Sequence, residues 1–356
     1  YLSTIEELIT ISKNNFSIIL YAPGYQKSLS EIAKASSSDI EKVYWEKLAV
    51  LVVPETEIEN IIRRLCYVGR YDDVLRIISL HKNSIIITED IMIGVLCEMQ
   101  QNGKWDILKK EAHIVAEILK KISLPDNIDQ KHLMLQMELL LFDHLRHYIH
   151  MHDLHIVQEI NQNPSLLMDL LSLAYKADEG YEEESPKNDS EKELRITLAR
   201  LAFNFIYYYH EVPCSDSTGM VNESSLMEYF DELKKQAELH HRTHILSMII
   251  GHILGNFKET KDYPSDILCR FIEYFNNDHI DSEISCAISN RRGMTTRAYN
   301  EGGTIERHHI ETFTRYRDRA QTRSPRLTRI FDNLIKEYQR RAEIEDNNAR
   351  IIDLNY

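Results

Sequence analysis

The stretch IENIIRRLCYVGRYDDVLRII, residues 58–78, decides the fold class. Ile58, Ile61, Ile62 and Leu65 stand at i, i+3, i+4 and i+7, so they share one face of a helix. The run Gly69-Arg70-Tyr71-Asp72-Asp73 ends that helix and caps the next, whose inner face is Val74, Leu75 and Ile78. Working outward, Pro54 sits where a first helical turn tolerates proline. Upstream, a helix starting at Asp39 carries Ile40, Val43, Tyr44, Lys47 and Leu48 at helical spacing, with Trp45 expected at the flank of that stripe.

A helix, a glycine turn and a second helix resemble a tetratricopeptide-type hairpin. Such a unit cannot bury its apolar stripe alone, so neighbours must stack on it. The next pair is expected over 89–99 and 104–122, with Gly103 at the break, but no strict repeat period runs through the pairs. The expected fold is therefore all-α: stacked helical hairpins, as a degenerate tetratricopeptide- or HEAT-like solenoid or an irregular bundle, ending in an αα-hairpin. Further helices are expected over 129–150, 191–210, 224–257, 265–276 and 281–289. The acidic run DEGYEEESPKNDS over 178–190 reads as an exposed or disordered loop. The expected organisation is a helical-repeat region over 1–177, that loop over 178–190, a second helical region over 191–289 and an Arg-rich αα-hairpin over 290–356.

Composition agrees. Among 356 residues there are 11 Gly and 8 Pro, too few for the turns of an all-β chain. A net charge of −14 argues against a nucleic-acid surface covering the whole molecule. Cys66, Cys97, Cys214, Cys269 and Cys286 are scattered without a CxxC pair, and Cys66 and Cys97 lie inside apolar helical patterns. That usage suggests buried free thiols, a reducing compartment and a cytoplasmic protein without structural zinc. No apolar run approaches the length of a membrane span, so no membrane partner is expected.

The tail changes character. Twelve arginines fall between Arg291 and Arg341. Arg291-Arg292-Gly293, Thr296-Arg297 and Glu301-Gly302-Gly303 read as a structured loop ahead of a helix from Thr304 to near Thr322. Ser324-Pro325 then starts the last helix. These residues, with Glu306, Tyr316-Arg317, Pro325-Arg326, Tyr338 and Glu345-Asp346, resemble a C-terminal module of large multidomain bacterial proteins. The segment from Tyr44-Trp45 to Gly69-Arg70 resembles their helical-repeat regions. Several such proteins act in antiviral defence and carry NTPase, nuclease or NAD-consuming modules N-terminally. The resemblance implies a bacterial source, an effector N-terminal to this region, and a helical region serving as sensor or scaffold. The start at Tyr1, without an initiator Met, likewise reads as one region of a longer polypeptide.

Three sets of residues could carry chemistry. His144, His147, His150, His152 and His155 cluster in sequence, and His144 and His147 at i, i+3 could share a metal. Solvated or partly buried histidines account for the same pattern, and no metal is assigned. Arg146-His147-x4-His152 resembles the motif of the helical HEPN ribonucleases. That likeness implies His152 as general acid/base on a 2′-hydroxyl and Arg146 stabilising the phosphorane. His240, His241, His244 and His252 form a further set, read as a structural helix face. Tyr207-Tyr208-Tyr209 reads as packing.

In the tail, Arg291, Arg292, Arg297, Arg307 and Arg315 could hold a phosphate or nucleic acid. Packing offers a second account, with Glu311 pairing Arg307 and Arg315 at i, i+4, Asp318 and Glu337 as nearby partners, and the basic hairpin docking on the acidic remainder. Gly302-Gly303 at a helix start could bind an anion or simply turn the chain.

The leading expectation is a non-catalytic helical scaffold or sensor, without cofactor, that binds a protein partner, a ligand or the effector domain of its own chain. Its specific contacts would be Arg291, Arg292, Arg297, Glu301, Gly302 and Gly303. The alternatives are a metal-independent ribonuclease using Arg146, His147 and His152, and a nucleic-acid binder acting through the tail.

Overall fold

Gly69 adopts φ +77°, the left-handed conformation that closes a helix. Its N–H donates to Cys66 O at 2.9 Å and that of Arg70 to Leu65 O at 2.9 Å, the paired bonds of a Schellman end. Gly103 repeats the device at φ +65°, with Lys104 N donating to Met99 O at 2.9 Å. Both glycine breaks read from the sequence are therefore helix C-terminal caps.

The computed structural model describes residues 38–48, 54–82, 84–216, 218–291 and 301–353, with positions 30, 34, 296 and 298. The protein is all-α: the described residues hold sixteen α-helices and, beyond one isolated bridge between Ser215 and Val221, no extended pairing. None of these helices is long and apolar enough to cross a membrane. The chain divides into two compact units between Ile156 and Val157.

The first unit contains α1 (Ser38–Lys47), α2 (Ile58–Tyr67), α3 (Tyr71–Leu80), α4 (Glu89–Gln101), α5 (Trp105–Lys110), α6 (Ala112–Leu119) and α7 (Ile128–Leu145). Helix α2 packs on α3, α3 on α6, and α7 on both α4 and α6. Ile58, Ile61, Ile62 and Leu65 of α2 and Val74, Leu75 and Ile78 of α3 are buried, as their spacing requires.

In α1 the stripe is rotated from expectation: Trp45 is 1% exposed and Val43 is 37% exposed. Arg70 explains the rotation. It donates to Trp45 O at 2.9 Å and Leu48 O at 2.6 Å while its other edge binds Asp73, so the end of α1 is drawn onto the α2–α3 turn. The residues expected as one helix over 104–122 divide at Glu111 into α5 and α6, and α7 stops at Leu145, five residues early.

Helix α8 (His155–Ile160) spans the division. The second unit continues with α9 (Pro164–Ala174), α10 (Asp189–Tyr208), α11 (Glu223–Leu239), α12 (Thr243–Gly255), α13 (Asp266–Phe275), α14 (Asp278–Asn290), α15 (Thr304–Ala320) and α16 (Pro325–Asp353). Asn163, Asn188, Asn222 and Asn277 each cap a helix with the side-chain oxygen.

The single helix expected over 224–257 is two. His241 takes φ +53°, and the buried Arg242 donates to the carbonyls of His240, His241, Ser172 and Tyr175. These bonds satisfy carbonyls that a continuing helix would otherwise pair, so apolar periodicity on both sides hides the break. The acidic loop is exposed over 180–190 yet anchored at two points. Glu183 accepts from Arg242 Nη2 at 2.5 Å. Asp178 accepts from Thr243 N and His244 N, both at 3.0 Å, and from His244 Nδ1 at 2.6 Å.

Asp178 therefore caps the start of α12 from a distant loop. The His244 side-chain bond first, then the backbone N–H groups, hold its carboxyl well below the usual carboxylate range. A depressed folded pKa contributes stability that is present above the unfolded value of about 4 and is lost as pH falls through the folded value. The expected result is that Asp178→Asn lowers the thermal midpoint at pH 7 and that the gap to the parent closes as pH drops from 5 towards 2. A gap independent of pH would assign Asp178 no ionic role.

Candidate functional site

Two glycines on α12 let it lie unusually close to α14. A Cβ on Gly251 would stand 2.4 Å from Glu283 Cβ and 2.8 Å from Ile280 O, and one on Gly255 would stand 2.5 Å from Ala287 Cβ. Gly251 meets 280 and 283 while Gly255 meets 284 and 287, so the two helices run in the same direction. With the C-terminal part of α10 they border a cleft of about 610 Å³, within the size range of small-molecule sites.

The parallel register gives the cleft two chemically different ends. Met248 and Glu283 mark one end, together with Tyr175 and Phe203, whose rings lie 6.1 Å apart. Tyr207 and Tyr208 continue this wall as an edge-to-face pair at 5.1 Å. Asn256, Lys258, Asn290 and Arg291 mark the other end, beside His210 and His252, whose rings are 5.3 Å apart. Tyr209, by contrast, is core: fully buried, with its hydroxyl donating to Asn161 Oδ1 at 2.7 Å.

Among the described residues of the expected contact loop, Arg291 is the arginine that lines this cleft. Its Nη1 donates to Phe257 O at 2.7 Å, its Nη2 to the Tyr263 hydroxyl at 3.3 Å, and Nη2 stands 3.2 Å from Glu259 Oε1. Its Nε is buried and has no partner among the described residues. A fixed guanidinium with one donor left unsatisfied calls for an explanation. Burial first, and then the nearby His252 and Arg291, hold His210 below its ordinary value, so its neutral form prevails at pH 7. His252 Nε2 lies 2.6 Å from Tyr209 O. Lys258 is exposed, its ammonium in no ion pair among the described residues.

Of the remaining contact-loop residues, Glu301, Gly302 and Gly303 have other places. Arg292 and Arg297 lie outside the described residues. Glu301 accepts from Ala298 N at 3.0 Å, and its carbonyl accepts from Thr304 Oγ1 at 2.7 Å. Gly302 takes φ +55°, and a Cβ on Gly303 would stand 2.6 Å from Ala342 O, so the glycines seat α15 against α16. The N-terminus of α15 already holds an anion of the chain itself. Asp346 accepts from Gly303 N at 2.8 Å and from Arg307 Nη1 at 2.8 Å, and Arg307 first and the Gly303 N–H second pull its carboxyl down to about 2.

Most of the tail's arginines meet acidic or carbonyl partners within the second unit. Arg326 and Arg329 share Asp278 and Asp281, Arg323 binds Asp266 at 2.8 Å, and Arg319 donates to Lys261 O and Tyr263 O. Arg317 reaches Asp318 and Asp332, and Arg341 pairs with Glu337. The pairing expected between Glu311 and Arg307 gives way to the Arg307–Asp346 pair, and Arg315 donates to Thr312 Oγ1 at 3.2 Å. Docking of a basic hairpin on acidic helices is the arrangement observed.

The histidine-rich stretch is dispersed. Arg146 is the C-cap of α7, its Nε 3.9 Å from Asp143 Oδ1. His147 is exposed. His152 sits in a single 3-10 turn, Met151–Asp153, stacked on His150 with centroids 5.5 Å apart and its Nε2 3.4 Å from Asp153 Oδ1. His155 is buried against Glu138. Among the described residues no group of three or more His, Cys, Asp or Glu is placed to hold a metal ion. His240 and His244, expected one turn apart on a common face, fall on either side of the α11–α12 break.

Sequence reading singled out Arg291, His252 and the Tyr207-Tyr208 pair but not their convergence, and it passed over Tyr175, Phe203, His210 and Lys258. The signal available was Gly251-x3-Gly255, a small-residue spacing within an apolar helix. No protein-family model matches the chain, and no curated protein or solved structure matches it either.

Proposed function

We infer that this chain is a helical scaffold or sensor module that binds a ligand in the cleft of its second unit and relays that event to an effector. The cleft carries this reading: a pocket of small-molecule size whose ends differ in chemistry, bordered by two helices in backbone-close contact. A ligand seated there touches α10, α12 and α14 together, so occupancy changes the free energy of their packing, which is what a relay needs. The helical hairpins of the first unit fit a degenerate tetratricopeptide-like array that offers a partner surface. In the setting implied by the tail's resemblance, the effector precedes this region in a bacterial antiviral-defence protein.

Incubation of the chain with labelled single-stranded RNA, with and without divalent metal, tests the assignment. The expected result is neither cleavage nor salt-sensitive binding, because most of the tail's guanidinium groups are engaged by Asp, Glu and carbonyl partners. Metal-independent cleavage lost in His152→Ala would replace this reading with a ribonuclease. Salt-sensitive binding lost on charge reversal at Arg292 would replace it with a nucleic-acid binder.

A further inference from the structure

The ligand's chemistry follows from which groups of the cleft are already committed. At the polar end, His252 is held on Tyr209 O and two arms of Arg291 are held on Phe257 O and Tyr263. Arg291 and Lys258 both line this end, Lys258 with its ammonium in no ion pair among the described residues and Arg291 with its buried Nε unpartnered among them. Helices α12 and α14 both end here, and their last carbonyls would by themselves favour a cation. Arg291 already serves as that cation for Phe257 O and is paired with Glu259, and Lys258 adds a positive charge in no ion pair among the described residues. An anionic group is the complement of what is left. At the other end, Tyr207 is 63% and Phe203 48% exposed, large faces that a flat ring would cover.

We propose that the cleft binds a small planar aromatic molecule carrying one acidic group, an aryl carboxylate or a nucleoside monophosphate. Its ring lies against Phe203, Tyr207 and Tyr208, and its acid faces Lys258 and Arg291, both of which line the cleft. The proposal rests on the cleft being the module's binding site and adds the class of ligand. The neutral imidazole of His210 stands beside the acid subsite as a hydrogen-bond partner that adds no fixed charge.

Calorimetric titration of the full chain with matched pairs tests this: indole-3-acetate against indole-3-acetamide, adenosine 5′-monophosphate against adenosine, with inorganic phosphate alone as a third arm. At least one acid should bind about tenfold or more tighter than its neutral partner, and phosphate should give no signal. Which acid binds separates the carboxylate from the phosphate. Lys258→Gln, at an exposed residue outside the helix contacts, should weaken the acid about fivefold or more and leave the neutral analogue unchanged. Phe203→Ala should weaken both members of a pair.

Equal affinity for acid and neutral partner, or an acid indifferent to Lys258→Gln, would overturn the anionic assignment. Absence of binding by either acid at millimolar concentration would overturn the ligand class. A chain that also cleaves RNA would overturn the scaffold reading itself, so the two failures are separable.

Discussion

Glu138→Ala should cost the first unit about 3–5 kcal/mol, a large part of the stability of an ordinary domain. Glu138 is fully buried on α7, yet both of its oxygens are used: Oε1 lies 2.6 Å from His155 Nδ1, and Oε2 accepts from Ile156 N at 2.8 Å. The far nitrogen of the same ring, Nε2, lies 2.8 Å from Ile122 O. An imidazole held between a carboxylate and a carbonyl must donate at both nitrogens, so this ring is an imidazolium. Burial alone would push its pKa down, but the Glu138 bond and charge and the Ile122 carbonyl outweigh burial and leave it raised. Truncating Glu138 strands that charge and the Ile156 N–H without an acceptor.

Both tryptophans, Trp45 and Trp105, belong to the first unit, so tryptophan emission during urea unfolding of the full chain reports on this unit. A loss under about 1 kcal/mol would show that the pair is not a structural anchor. Glu138→Gln separates charge from shape. Because the folded pKa of His155 is raised, its contribution is whole below the unfolded value of about 6.5 and is lost as pH rises through the folded value. The gap between parent and Glu138→Gln should therefore be widest near pH 5–6 and narrow on the alkaline side.

Gly255→Leu should damage the second unit by about 2–3 kcal/mol or more. The new Cβ alone would stand 2.5 Å from Ala287 Cβ and 3.1 Å from Ile284 O, and backbone cannot retreat without separating α12 from α14. Because those helices border the cleft, the variant should also lose whatever the cleft binds. Gly94 on α4 gives the contrast, since nothing lies within 4 Å of its added Cβ. Gly94→Ala should stabilise by about 0.5–1 kcal/mol through the unfolded chain and helix propensity. Hydrogen exchange resolved by peptide reads both units separately. Equal effects of the two substitutions would contradict the close crossing.

Helix after helix was legible in the residues because a buried stripe at 3.6-residue period and a glycine C-cap are local signals. Ile58 to Ile78 and both glycine turns needed nothing beyond their neighbours in the chain. The break at His241-Arg242 was not legible, because apolar periodicity runs on either side of it. What ends α11 is Arg242 binding the Ser172 carbonyl of α9 and the Tyr175 carbonyl just past it, 70 and 67 residues upstream. The rotation of α1 has the same cause, with Arg70 fastening carbonyls 25 and 22 residues away. Charge in the tail was legible as a count of arginines, but its meaning was not, since Asp278, Asp281 and Asp266 become partners only once α13 and α14 lie beside α15 and α16.

By itself, then, the sequence determined the all-helical class, the buried faces of α2 and α3, their glycine ends, and the burial of Cys66 and Cys97. All of these depend on interactions within one or two helical turns. Only the tertiary structure decided that His155 is a paired core residue rather than a ligand, that Gly303 seats a helix with Asp346 as its anion, and that Arg291 meets His210, Lys258 and an aromatic wall at one cleft. Those outcomes depend on side chains from three helices converging, and convergence is set by how helices cross, which spacing along any one of them does not encode.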